Sequence, residues 1–176
     1  MLVAHVRKKT VGPTRIENTH PFARSGWIFA HNGTLTDLEY VRSAASPARR
    51  AEIQGDTDSE LLFALFLTRL DAAGLRSDDA HERIHGVLAD TAQELRERNV
   101  GAFSTLMSNG ETCFAHRFGR TLFTLERHAG GRRTVVIASA RLTDDAWSEI
   151  PEGTFFRVDR RPVPSLVWRD SATRAA

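Results

Sequence analysis

Leu2, Ala4 and Val6 fall on one face of the opening segment and Val3, His5 and Arg7 on the other, the period-two pattern of a strand over residues 2–7. Residues 11–25 carry Gly12, Pro13, Asn18 and Pro21 and read as a loop ahead of a short apolar strand, Trp27 to Ala30. That strand runs into His31-Asn32-Gly33, read as a turn. Thr36 and Glu39 have capping-box spacing and predict a short helix that ends before Pro47. Thr57 and Glu60 repeat the spacing before Leu61-Leu62-Phe63-Ala64-Leu65-Phe66-Leu67, a helix apolar nearly all round, buried, and ending at Gly74. A second long helix over residues 79–98 lines up Ile84, Val87, Leu88, Ala92 and Leu95 in one stripe, with charges opposite. From residue 102 the period switches to two. Hairpins are predicted around Asn109-Gly110, around His128-Ala129-Gly130-Gly131 and around Arg160-Arg161-Pro162. Strands, two helices and then an antiparallel strand-rich half make an α+β fold with helices layered on sheet, over residues 1–169, with a frayed tail at 170–176.

Composition narrows the function classes. The 176 residues are one domain's length, and 41% hydrophobic with 26% charged residues is ordinary for a folded chain. No apolar run reaches the 18 residues of a membrane span, and MLVAHVRKK places its cations after the apolar stretch, the reverse of a signal peptide. The single cysteine, Cys113, excludes an internal disulfide and fits a reducing cytoplasm. Lys8 and Lys9 are the only lysines among 24 cations, and an arginine-rich chain raises the question of nucleic acid. The pairs Arg49-Arg50, Arg132-Arg133 and Arg160-Arg161 are scattered among 22 acids, however, and no basic stripe emerges.

Three clusters sit at the ends of predicted elements, where sites are built: Arg7-Lys8-Lys9-Thr10, His31-Asn32-Gly33, and Gly55-Asp56-Thr57-Asp58-Ser59-Glu60. Together they offer a cation, a pair of hydrogen-bond donors and an anion. An α-amino acid needs a guanidinium such as Arg7 for its carboxylate and a carboxylate such as Asp58 for its ammonium group. Donors from Asn32 and the Gly33 N–H would face a side-chain amide whose oxygen turns negative under attack. Each residue alone has a plainer reading: a surface ion pair for Arg7, a type I′ turn for Asn32-Gly33, a first-turn acid for Asp58.

As a set, Val3-Ala4-His5-Val6-Arg7-Lys8-Lys9-Thr10, Glu17-Asn18-Thr19-His20-Pro21-Phe22, Trp27-Ile28-Phe29-Ala30-His31-Asn32-Gly33 and Gly55-Asp56-Thr57-Asp58-Ser59-Glu60 resemble the class II glutamine amidotransferases. The resemblance is to their small stand-alone bacterial branch, which includes γ-glutamyl amide hydrolases. It implies the four-layer α-β-β-α fold of N-terminal-nucleophile hydrolases, here partial because N-terminal strands are missing. It implies that Arg7 and Thr10 grip the α-carboxylate of glutamine, that Asp58 binds the α-ammonium, and that Asn32 and Gly33 form the oxyanion hole. It places His20 and His31 near the pocket in an orienting role. It implies no cofactor and no metal, a glutamine or γ-glutamyl substrate cleaved through a cysteine thioester, and a synthase or a chain carrying the N-terminal strands as partner.

The family's nucleophile is a cysteine at the mature N-terminus, with its own α-amino group as base. This chain begins Met1-Leu2, so it is expected to start about a third of the way into the family's domain and to be inactive by itself. Cys113 and His116 are three apart on a predicted strand and point to opposite faces, which leaves Cys113 a small buried residue. His5, His20, His31 and Asp56 fit no familiar metal spacing. The other reading is a non-catalytic remnant that binds an amino acid or a partner protein.

Overall fold

The computed structural model describes residues 1–5 and 15–168. Arg7, Thr10 and the expected tail at 170–176 lie outside the described residues. Strands β1 (Phe22–Arg24), β2 (Trp27–Leu35), β3 (Gly101–Ser108), β4 (Thr112–His116), β8 (Phe155–Asp159) and β9 (Ser165–Trp168) form a six-stranded antiparallel sheet in the order β1-β2-β3-β4-β8-β9. Strands β5 (Phe123–Ala129), β6 (Arg132–Ala138) and β7 (Ser148–Glu149) form a second sheet in the order β6-β5-β7. Helices α1 (Leu38–Ala44), α2 (Pro47–Ala51), α3 (Asp58–Ala72) and α4 (His81–Glu97) lie between β2 and β3 in the chain.

Strand alternation separates two cores. Phe29, Phe103, Met107, Phe114 and Phe155 turn toward the helices and meet Leu62, Phe63, Phe66, Ile84 and Leu88, all buried. Their neighbours Ala115, Phe156 and Val158 turn the other way and meet Leu122, Ile150, Val135 and Ile137 at the second sheet. The described residues therefore stack helices on a large sheet on a small sheet. The α+β architecture with antiparallel sheets follows as the sequence pattern predicts.

The two long helices form for the predicted reasons. Thr57 caps α3, its hydroxyl accepting from the Glu60 N–H at 3.3 Å, and Ser59 to Leu67 are buried on every side. Along α4, Ile84, Leu88, Ala92 and Leu95 make the buried stripe. In the β5–β6 hairpin Gly130 and Gly131 both take positive φ, 57° and 72°, as a two-residue loop with primed twist requires.

Four local expectations are corrected. Leu2 to His5 of the expected strand at 2–7 are not in a strand, because none of the described strands runs alongside to share a ladder, and residues 6 and 7 lie outside the described residues. His31-Asn32-Gly33 are not a turn: β2 continues to Leu35 because β3 pairs with it throughout, Asn32 opposite Ser104 and Gly33 opposite Phe103. The N-cap of α1 is Asp37 rather than Thr36, since the Asp37 carboxylate accepts from Tyr40 N at 3.0 Å. Pro47 does not merely end a helix; it opens α2 at a position where its missing N–H costs nothing.

His116 sits in the helix-side core against Phe103 and Phe155 with Nδ1 3.2 Å from the Phe103 carbonyl, and burial lowers its pKa to about 4. An unfolded histidine titrates near 6.5, so between those values the unfolded chain binds the extra proton and folding weakens as pH falls. Stability is expected to drop by about 3 kcal/mol through this group between pH 6.5 and pH 4, as measured by denaturant unfolding, and His116→Gln should flatten that slope.

Candidate active site

Two features of β2 decide the site: which way its backbone points, and what stands at its open edge. Phe103 N donates to Phe118 O, so the Phe103 backbone points toward the far side of β3, away from β2. Its partner Gly33 is then a non-hydrogen-bonded pair, and the Gly33 N–H projects from the opposite edge of β2. Leu35 has the same parity and confirms the direction: its N–H donates to Asp58 Oδ2 at 2.9 Å. Strand β1 covers that edge only at Trp27 to Phe29, and among the described residues no strand pairs with it further along. The Gly33 N–H and the Asp58 carboxylate thus share one open edge. Gly33 and Leu35 are two residues apart on a strand, roughly 7 Å, about the reach of a glutamine from α-ammonium to side-chain amide.

Gly33 also has a packing reason to lack a side chain. A Cβ there would stand 1.9 Å from the Ala102 carbonyl oxygen and 2.7 Å from His31 Nε2. That close approach lets the Ala102 carbonyl meet His31 Nε2 at 3.3 Å. The other ring nitrogen, Nδ1, is 2.9 Å from Ser59 Oγ on α3. His31 is 3% exposed, and burial lowers its pKa, with the nearby Asp58 carboxylate and the Ala102 carbonyl acting in the opposite sense. Asn32 lies on the opposite pleat to His31, toward the second sheet. There it lines a cavity of about 90 Å³ with Ala4, His5, Ser104, Ile137 and Ser139. The His20 ring packs at a tilt against His5, centroids 4.3 Å apart, and against Phe22, 4.6 Å apart, so His5 joins His20 to the cavity wall.

The segment before α3 is held by a buried acid. Glu60, 1% exposed, accepts from Gly55 N at 2.6 Å and Gln54 N at 3.2 Å, and pairs with Arg24 of β1. Asn18 Oδ1 accepts from Asp56 N at 2.9 Å. A Cβ at Gly55 would come within 2.2 Å of that same Asn18 oxygen. Of the expected site residues the structure therefore brings Gly33, Asp58 and His31 together, while Asn32 lines the cavity on the other pleat with His5, which links His20 to it. The spacing that marked Glu60 as half of a capping box concealed its larger task, because its carboxylate turns to the loop instead of to the Thr57 N–H. Ser59 and Arg24 carried no sequence signal of their own. Among the described residues no three His, Cys, Asp or Glu side chains converge to hold a metal ion, and no helix is long and apolar enough to cross a membrane.

The family model for glutamine amidotransferases class-II matches residues 1–131. The chain belongs to the class II glutamine amidotransferases. Within that family it is similar to an Escherichia coli (strain K12) protein named "Putative glutamine amidotransferase YafJ", 33% identical over 119 residues that cover 65% of this chain and 44% of that one. A Haemophilus influenzae protein named "Putative glutamine amidotransferase" is 27% identical over 88% of this chain and 58% of its own length. The chain thus spans about half the length of these relatives. The structure of a glutamine aminotransferase class-II domain protein from Silicibacter pomeroyi superposes with a TM-score of 0.64 at 25% identity, covering 88% of this chain and 72% of that one. The fold is accordingly the α+β, antiparallel-sheet fold of the N-terminal-nucleophile type of glutamine amidotransferase.

Removing a buried charge that holds this much backbone should be costly. Glu60→Ala leaves Arg24 and two loop N–H groups without their acceptor and is expected to destabilise the fold by about 3–5 kcal/mol, read from denaturant unfolding.

Proposed function

We propose that this chain carries the amino-acid grip and the oxyanion hole of a domain, residues 1–169, that hydrolyses the side-chain amide of glutamine or of a γ-glutamyl compound. The observation that carries the reading is the shared β2 edge, where the Gly33 N–H and the Asp58 carboxylate face the same space. Asp58 takes the α-ammonium, and Arg7 with Thr10 takes the α-carboxylate. The amide oxygen then lies against the Gly33 N–H and the Asn32 side chain, donors that strengthen as the oxygen gains charge. A thiolate adds to the amide carbon, the C–N bond breaks with proton transfer to nitrogen, and ammonia or an amine leaves. Water then cleaves the thioester to release a γ-carboxylate and regenerate the thiol. The ammonia is passed to a synthase or freed, in a reducing cytoplasm.

The thiol comes from outside these 176 residues. Cys113 is the single cysteine of the sequence, and it is buried in β4 with its pKa pushed up to about 12. It lies on the opposite pleat from His116, which leaves it no base. That burial also favours a second reading, in which this chain binds an amino acid without turnover.

Calorimetric titration with glutamine tests the grip. Asp58→Asn keeps an acceptor for the Leu35 N–H but removes the charge, and is expected to weaken glutamine binding by about 2–5 kcal/mol. Equal affinity in the two proteins would return Asp58 to the role of a first-turn acid. The 176-residue chain is expected to release no ammonia from glutamine; release that disappears in Cys113→Ser would overturn the assignment of the thiol.

A further inference from the structure

Behind Asp58 lies a hydrogen-bonded line from the Ala102 carbonyl through His31 and Ser59. His31 Nε2 is 3.3 Å from the Ala102 carbonyl, His31 Nδ1 is 2.9 Å from Ser59 Oγ, and Ser59 Oγ is 3.3 Å from Asp58 Oδ1. His31 and Ser59 are 3% and 5% exposed. A carbonyl only accepts, so Nε2 carries a proton, and in the neutral ring Nδ1 must then accept. Its donor is the Ser59 hydroxyl. A serine hydroxyl has one proton, and while it is spent on Nδ1 it is not available to Asp58 Oδ1. Asp58 Oδ2 is already engaged by the Leu35 N–H. Oδ1 is therefore the oxygen with more acceptor capacity left for a ligand.

Protonation of His31 reverses the line. Nδ1–H then donates to Ser59 Oγ, and the hydroxyl proton turns to Asp58 Oδ1, in competition with an incoming ammonium group. From this geometry we infer that His31 and Ser59 are positioning residues that keep Asp58 Oδ1 open for the α-ammonium group of the substrate as long as His31 is neutral. The inference rests on the reading of Asp58 as the ammonium partner. The ionisable groups that act on His31 are Asp58 from α3 and His5 from the opening segment. Burial and the charge on His5 disfavour the imidazolium, Asp58 and the Ala102 carbonyl favour it, and the balance keeps the ring's pKa below its ordinary value. The grip is thus strongest while His31 is neutral and weakens once the ring gains its proton.

The test combines two measurements on the 176-residue chain. Nitrogen-15 NMR of the imidazoles at about pH 8 is expected to show His31 as the neutral Nε2–H tautomer. Glutamine titration by calorimetry, from about pH 8 down through the His31 titration as located by the same NMR signals, is expected to show wild-type affinity falling by several-fold as His31 gains its proton. Ser59→Ala, which has no hydroxyl to turn toward Asp58, is expected to fall by less over the same range, and Ser59→Thr to restore the wild-type profile. An Nδ1–H tautomer at pH 8, or coincident profiles for wild type and Ser59→Ala, would overturn the inference. If binding at pH 8 depends on Asp58, as judged with Asp58→Asn, coincident profiles reject the His31–Ser59 pair alone. Binding at pH 8 indifferent to Asp58→Asn rejects the amino-acid grip itself, and the positioning role with it.

Discussion

The geometry of the site hangs on one buried carboxylate. Glu60 stands in the first turn of α3, almost wholly out of water, where a lone negative charge would be prohibitive. It is stable there because Arg24 of β1 and the N–H groups of Gln54 and Gly55 converge on it. Those partners come from two separate parts of the chain, so satisfying one charge pins strand, loop and helix start together. The register of α3 against the sheet follows, and with it the position of Asp58, two residues before Glu60 and in contact with Leu35. The helix then adds its own field. Its N-terminal N–H groups put the positive end of the helix dipole beside Asp58, the first residue of α3.

The second constraint is steric. Gly33 lets β3 approach until the Ala102 carbonyl reaches His31, while the strand's parity turns its N–H toward the β2 edge. One residue therefore serves packing and chemistry at once. Because β1 stops at the partner of Phe29, no ladder among the described residues consumes the edge beyond it. A longer β1 would have sealed the site.

Much of this was legible in the residues themselves. The apolar run Leu61 to Leu67 and its Thr57 cap announced a buried helix, and the stripe on α4 announced a half-buried one, because side-chain periodicity is set locally. The cluster at Gly55 to Glu60 and the Asn32-Gly33 pair were visible as candidate chemistry, and the structure sets Asp58 and Gly33 on one edge with Asn32 on the pleat toward the second sheet. What was misread depends on partners distant in sequence. Asn32-Gly33 reads as a turn from two residues alone, and only pairing with β3, some 70 positions away, makes it a strand. Leu2 to His5 alternate as a strand does, yet alternation without a neighbouring ladder is not one. Ser59 and Arg24 are common residue types at ordinary positions, and only the fold reveals that each completes a buried polar contact.

The central claim is that an amino acid lies along the β2 edge between Gly33 and Asp58. A titration of the isotope-labelled chain with glutamine, followed through the backbone amide signals in two-dimensional NMR, tests it directly. The account predicts the largest shifts at Gly33, Leu35 and the first turn of α3, saturating together, with the β5–β6 hairpin unmoved. Shifts centred elsewhere, with Gly33 and Leu35 unchanged at saturation, would contradict it.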